Sequence, residues 1–248
     1  MARITLYTRN MFEEAAVSIY GDDDSGYPES RLYDRDISLY WKQTGTVPVN
    51  FTVTGCSGEA NEVGFLAIEK HNFDGQPINW QYSSDNFVLD INNAVEQWAP
   101  GSGQTVKTLS TGVIENSWRI KASGEITNPQ CSEVYMSKGL ELRVRFDEKP
   151  LAFDKANVTW QETIGGIERS TKTGSKRRMR EYAIFLDEND SEITNFRTAM
   201  ADLDDYSKPF YIKDHEGDYW MCRLLEEPVE QFLTEGQVLM TIKVIEKL

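Results

Sequence analysis

The chain has 248 residues, 40% of them hydrophobic and 11% aromatic, with a formal net charge of -14 from 26 basic and 40 acidic side chains. That length fits one large all-β unit or two domains of ordinary size, and the apolar content is enough for packed cores. So acidic a surface repels free nucleic acid unless positive charge is gathered locally, and no apolar run approaches the roughly 18 residues a membrane helix needs.

At the N-terminus, Thr8, Arg9 and Asn10 cut short the apolar start, so no signal peptide is expected and the protein is expected to be made or assembled in a cytoplasm. Cys56, Cys131 and Cys222 are scattered without Cys-x-x-Cys spacing, which reads as buried thiols and not a disulfide framework. His71 and His215 are the only histidines, and nothing stands at metal-ligand spacing, so no metal and no cofactor are expected.

Residues 11–19 suggest a helical turn or two around Glu13-Glu14-Ala15-Ala16. Asp22-Asp23-Asp24-Ser25-Gly26 reads as a solvated loop; a calcium site is the sharper alternative, but the pattern completes no ligand set. The stretch Ser30 to Trp41 is a charged turn followed by an aromatic-rich run. Asp34 and Asp36 are expected to fold back on nearby N–H groups as Asx-turns, while Ile37, Leu39 and Trp41 alternate as a strand.

Alternating segments broken by turn residues continue to residue 146, the signature of a β-sandwich. Strands are expected over 37–44, 47–54, 62–69, 79–83, 105–110, 117–122, 133–137 and 140–146. Val49, Phe51 and Val53 alternate with polar neighbours, giving one dry and one wet face. Val63 to Ile68 is apolar throughout, as a central strand covered on both sides would be.

The Asp-containing turn before a short strand ending in Trp41, the Trp118-Arg119 pair in a late strand, and Glu133-Val134-Tyr135 near the end resemble discoidin-like, galactose-binding-type domains. The resemblance spans about the first three-fifths of the chain and implies a jelly-roll sandwich over residues 1–148. Within it, Arg119 is expected to stack on aromatic surface and bond a carboxylate such as Asp34 or Asp36. A sugar site is drawn from Trp80, Tyr82 and Trp98 with Asn72, Asp74, Asn92 and Asn93 beside them, since aromatic faces next to amides suit carbohydrate. The alternative is that these aromatics fill cores or subunit contacts.

Near residues 147–150 the alternation gives way to a charged, Pro-containing connector, which sets a second domain at 149–248. Its strands are expected over 157–164, 180–187, 209–213, 219–225 and 238–246, with a hairpin turn at Asp214 to Asp218 that places Gly217 at positive φ. Ile193, Phe196, Met200 and Leu203 recur at helical steps, predicting a helix near 190–204 with a capping box from Asn189 to Glu192. The expected fold class is therefore mostly β: an N-terminal sandwich plus a small antiparallel β domain with one α-helix.

That order of elements resembles the tail-tube-like domain of ring-forming bacteriophage tail proteins. Lys172, Lys176, Arg177, Arg178 and Arg180 lie in a run without an acid, expected as a solvated hairpin tip or loop, or as a contact to an acidic face of the next identical subunit. No nucleophile elbow, Walker loop or dinucleotide fingerprint is present, so no enzyme is expected. The resemblance implies a structural subunit of a phage tail tip or baseplate, similar to distal tail proteins. It would form a six-membered ring with itself and contact tail-tube and hub proteins, with no membrane partner and with DNA only passing through its lumen. Its place would be the virion. A carbohydrate-binding adhesin reading a surface glycan, and a glycoside-processing enzyme carrying such a module, are the rivals.

Overall fold

Most of the alternating segments of the sequence form strands. In chain order the elements are β1 (Arg3–Tyr7), α1 (Met11–Glu14), β2 (Ala16–Ile19), β3 (Trp41–Lys42), β4 (Thr46–Thr54), β5 (Val63–His71), β6 (Ile78–Ser83), β7 (Asn92–Asn93), β8 (Gly103–Val113) and β9 (Ser117–Thr127). They continue with β10 (Gln130–Cys131), β11 (Glu133–Ser137), β12 (Leu140–Val144), β13 (Leu151–Glu162), β14 (Glu168–Asp187), α2 (Glu192–Ala201), β15 (Phe210–Lys213), β16 (Tyr219–Leu224), β17 (Val229–Thr234) and β18 (Gln237–Glu246). The structure, a computed structural model, describes residues 2–19, 26–56, 62–101, 103–145, 151–162, 168–187, 191–204, 206–234 and 236–247; between 151 and 174 the side chains described are those of Asp154 and Lys172. The aspartate run at 22–24 lies outside the described residues, and so does Asn189.

Two compact units result, one of residues Tyr7–Leu140 and one of Met1–Leu6 with Glu141–Leu248. The mostly β fold class holds, but the chain does not divide at 148/149. β12 bonds to β14 and β1 lies between β12 and β15, so both belong to the second unit. Local alternation marks a strand without saying which sheet it joins.

The 7–140 unit is an antiparallel sandwich of a five-stranded sheet, β2-β4-β9-β6-β7, and a three-stranded sheet, β11-β5-β8, with the short pair β3 and β10. Val49, Phe51 and Val53 of β4, Trp118 and Ile120 of β9, and Ile78 and Trp80 of β6 share one buried cluster. Trp41 meets Phe51 edge-on at 5.0 Å, and the Trp80 and Trp118 rings lie 5.5 Å apart. β5 is central to its sheet and buried along the run from Phe65 to Ile68, as its unbroken apolar text demands.

Both Asx-turns form: the Asp34 carboxylate accepts from Asp36 N at 2.8 Å, and Asp36 accepts from Ser38 N at 3.1 Å. Those bonds compete with a strand ladder, so the expected strand over 37–44 shrinks to β3 and Leu39 stays exposed. The expected helix over 11–19 is a single turn, α1, capped by Asn10 accepting from Phe12 N at 3.2 Å, after which the chain enters β2.

In the second unit β14, β12, β1, β15, β16 and β18 follow one another around a closed ring, because β18 pairs back onto β14. Tyr182, Ile184 and Leu186 of β14 and Met240, Ile242 and Val244 of β18 alternate inward. α2 buries Ile193, Phe196 and Met200, the predicted stripe, with Leu203 just beyond it. Its N-cap is Ser191, at φ 59 and without a side-chain cap; instead Glu192 accepts from Asp187 N at 2.9 Å. Gly217 stands at φ 96 in the expected turn. The basic run at 170–180 is neither loop nor hairpin tip: it is the middle of β14, registered against β13.

Phe51 is fully buried between Trp41 and Phe73. Phe51→Ala is expected to lower the unfolding free energy of the 7–140 unit by about 3–5 kcal/mol, read by urea titration of tryptophan fluorescence, with an unchanged midpoint overturning the assignment of the core.

Candidate functional site

The residues expected to form a sugar site do not converge. Trp80 is fully buried and has no face to offer, because strand alternation sends it inward with Trp118. Asn72 is a brace, accepting from Gln130 N at 2.9 Å and donating to Asn128 O at 3.0 Å. Asp74 is exposed nearby. Trp98 bridges to Ile78 at one end of β6 and lies 5.0 Å beneath the Lys107 ammonium. Tyr82, four residues further along β6, is roughly 13 Å away at strand rise and packs on Trp118 at 5.4 Å.

The same alternation builds a different surface on the outer face of the five-stranded sheet. Thr52, Arg119, Gln81 and Asn93 stand in register across β4, β9, β6 and β7. Arg119 donates from Nε and Nη2 to Gln81 Oε1 at 3.0 and 2.6 Å, and the Gln81 amide passes the chain on to Asn93 Oδ1 at 2.9 Å. The Arg119 guanidinium carbon lies 4.1 Å from the centre of the Phe87 ring. This corrects the expected pairing of Arg119 with Asp34 or Asp36; those carboxylates serve their own turns. Among the described residues, Arg119 Nη1 and Asn93 Nδ2 make no protein hydrogen bond, so the fixed row carries two free donors, the one on Arg119 beside the Phe87 ring.

The loop carrying Phe87 is held by its own acids. Asp85 accepts from Val88 N at 3.1 Å, Leu89 N at 2.8 Å and Ser83 Oγ at 2.8 Å. Desolvation acts to raise the Asp85 pKa, but the Ser83 hydroxyl and the N–H groups of Leu89, Asp90 and Val88 outweigh it and hold the carboxyl below its usual range. Asp90 accepts from Ser84 N at 3.1 Å and from Asn92 Nδ2 at 2.6 Å. Asn86 and Phe87 take positive φ of 59 and 64, and Val88 and Leu89 project into water, 73% and 89% exposed. Sequence reasoning passed over Phe87 and Gln81. A single step along the strand from the inward-facing Trp80 and Trp118 reaches the opposite face, and that step is the signal that locates Gln81 and Arg119.

Four other groups of reactive or titratable side chains are accounted for by structure. Asp214, Glu216 and Asp218 bring carboxylate oxygens together, yet Asp214 accepts from Glu216 N, Asp218 N and Trp220 Nε1 at 2.9, 3.0 and 3.2 Å. Arg178 and Arg180 lie 3.5 and 3.8 Å from Asp218 and Glu216, supplying the positive charge a metal would. The three cysteines are buried and free, and desolvation pushes the Cys56 thiol up to about 11, leaving it protonated and inert. His71 is neutral in the core: Nδ1 accepts from Phe73 N at 3.2 Å, Nε2 faces Thr105 Oγ1 at 2.9 Å, and desolvation lowers its pKa.

The fourth group is buried in the sandwich. Glu133 accepts from Arg35 N at 3.0 Å and Asn10 Nδ2 at 3.2 Å, while the Arg35 side chain ion-pairs with Glu13 and lies 5.5 Å from the Tyr135 ring centre. Desolvation first, then the charge of Asp34, raises the Glu133 pKa well above the ordinary value.

No protein-family profile and no curated protein sequence matches the chain. Solved structures do. Chitosan-binding module 1 from a chitosanase/glucanase of Paenibacillus sp. IK-5 shares 14% identity at a TM-score of 0.44, covering 52% of this chain and 99% of that one. A family 32 carbohydrate-binding module from C. perfringens NanJ, solved with galactose, shares 14% at 0.42 over 54% and 99%. A putative alpha-L-fucosidase from Bacteroides thetaiotaomicron shares 16% at 0.45, over 54% of this chain and 29% of that one. None of these three is a phage tail protein, and at such scores the sandwich assignment rests on the strands described above.

Because folding raises the Glu133 pKa, the stability that the neutral carboxyl contributes is fully present below the unfolded value of about 4.3 and is lost as pH rises toward the folded value. Glu133→Gln cannot ionise. Between pH 5 and pH 7.5 the urea midpoint of the native chain is therefore expected to fall relative to that of Glu133→Gln, and parallel midpoints would remove the linkage.

Proposed function

We propose that the chain is a non-catalytic binding protein whose 7–140 unit recognises carbohydrate on the outer face of its five-stranded sheet. The observation that carries this reading is the row Thr52, Arg119, Gln81 and Asn93 with Phe87 packed on Arg119. A sugar presents hydroxyls that accept and donate, and an apolar face of C–H groups. Donors held in place by Gln81 meet the hydroxyls without first being ordered, and the Phe87 ring supplies the apolar contact. Galactose and chitosan oligomers, named for similar modules, are the first probes. Calorimetry is expected to show binding that weakens at least about tenfold in Arg119→Ala and in Phe87→Ala. Silence of the folded wild type on a broad glycan array overturns the proposal.

A second reading concerns the other unit, where β17 stands at the end of its sheet with Val229 57% and Phe232 73% exposed. An apolar strand with one unbonded edge invites pairing between chains. We infer that this unit makes the protein an assembling subunit, the ring-forming tail-tip role in a virion being its most specific form, with copies of itself, tail-tube and hub proteins as partners. Negative-stain imaging of the purified chain is expected to show closed rings. Discrete monomers at high concentration overturn it.

A further inference from the structure

We infer that the unit of residues 1–6 and 141–248 associates head to tail, the free edge of β17 in one copy receiving the basic β13–β14 hairpin of the next. This rests on the assembling reading above and names the contact that it leaves open.

Closing the barrel leaves β13 and β17 outside the ring, each bonded on one side only among the described strands. Locally the order runs β13-β14-β18-β17, so the two free edges face opposite ways. A chain's own β13 therefore cannot reach its own β17 edge. β14 pairs with β18 only from Met179 onward, so up to Arg178 its one strand partner among the described residues is β13. A two-stranded ribbon is marginal in water by itself and gains by lying against another surface.

Charge selects the partner. Residues 169–180 hold Arg169, Lys172, Lys176, Arg177, Arg178 and Arg180 and no acid; residues 226–235 hold Glu226, Glu227, Glu230 and Glu235 and no base, with Glu226 already facing Lys243 and Glu230 facing Arg197. Arg178 and Arg180 already face Asp218, Glu246 and Glu216 within the unit. Lys172 and Lys176 are exposed, Arg177 is half-exposed, and none of the three has a protein partner among the described residues. On the receiving side a groove of about 390 Å3 runs between α2 and β17, floored by Phe196, Met200 and Met240. The exposed pair Arg197–Glu230, at 2.7 Å, crosses it. A strand laid along β17 gains ladder bonds from the backbone, cover for Val229 and Phe232, and opposite charge at the rim. Donor and receiver lie on the same unit with complementary charge, so a second copy is the occupant. Such a contact repeats and closes into a ring or runs on as a filament.

The full-length chain tests this by sedimentation at low salt. A receiver variant, Val229→Asp with Phe232→Asp, and a donor variant, Lys172→Glu with Lys176→Glu and Arg177→Glu, are each expected to associate at least about tenfold more weakly than wild type. Mixed in equal amounts they should form dimers and nothing larger, since one competent donor meets one competent receiver. That rescue separates a lost contact from a lost fold. A mixture of Lys176→Cys and Gln231→Cys chains should also cross-link only between the two kinds. If wild type associates while the mixture gives neither dimers nor cross-links, this contact is wrong and the assembling reading survives. If wild type stays monomeric, both fall.

Discussion

The antiparallel register of β4, β9 and β6 is the constraint from which both faces of the sandwich follow. Trp118 and Arg119 are neighbours in the chain, yet a single step along a strand sends one to the core and the other to water. Pairing that opposes Arg119 to both Thr52 and Gln81 also lays Trp118 beside Trp80 and Val53. The apolar cluster and the polar row are thus one event, and a slip of one residue would bury the guanidinium and expose the indoles. That dependence explains why the Arg119 donors are aimed: the strand that carries them is pinned by what lies behind it.

Beneath the first turns of the sandwich, the buried Glu133, Arg35 and Asn10 form a polar cluster with the partly buried Glu13. Asn10 caps α1, accepts from Met136 N at 3.1 Å and donates to Glu133, so the chain's entry into the sandwich is tied to β11 by hydrogen bonds that no apolar residue can make. Such a network specifies one arrangement, because any other leaves a carboxylate or guanidinium buried and unpaired.

The second unit solves its edge problem only in part. Pairing β18 onto β14 closes a barrel and removes most edges, while β13 and β17 remain outside it. Two properties of the molecule, a polar row on one unit and open edges on the other, belong to surfaces with different chemistry. The first offers directed hydrogen bonds; the second offers a backbone ladder, apolar side chains and charge.

Much of this was legible in the residues themselves. The alternation of β4, the unbroken apolar text of β5, the Asx-turns of Asp34 and Asp36, the stripe of α2 and the positive φ of Gly217 are local, set by neighbours two to four positions apart, and local chemistry determines them. What a strand pairs with is not local. β1 crosses to the barrel, the basic run around Lys176 extends a strand where a loop was expected, and Arg119 finds Gln81 and Phe87 in place of Asp34 or Asp36. Alternation tells only that a side chain leaves one face; the neighbours it meets on the other are chosen when distant strands come into register, a choice that only the packing of the whole unit makes.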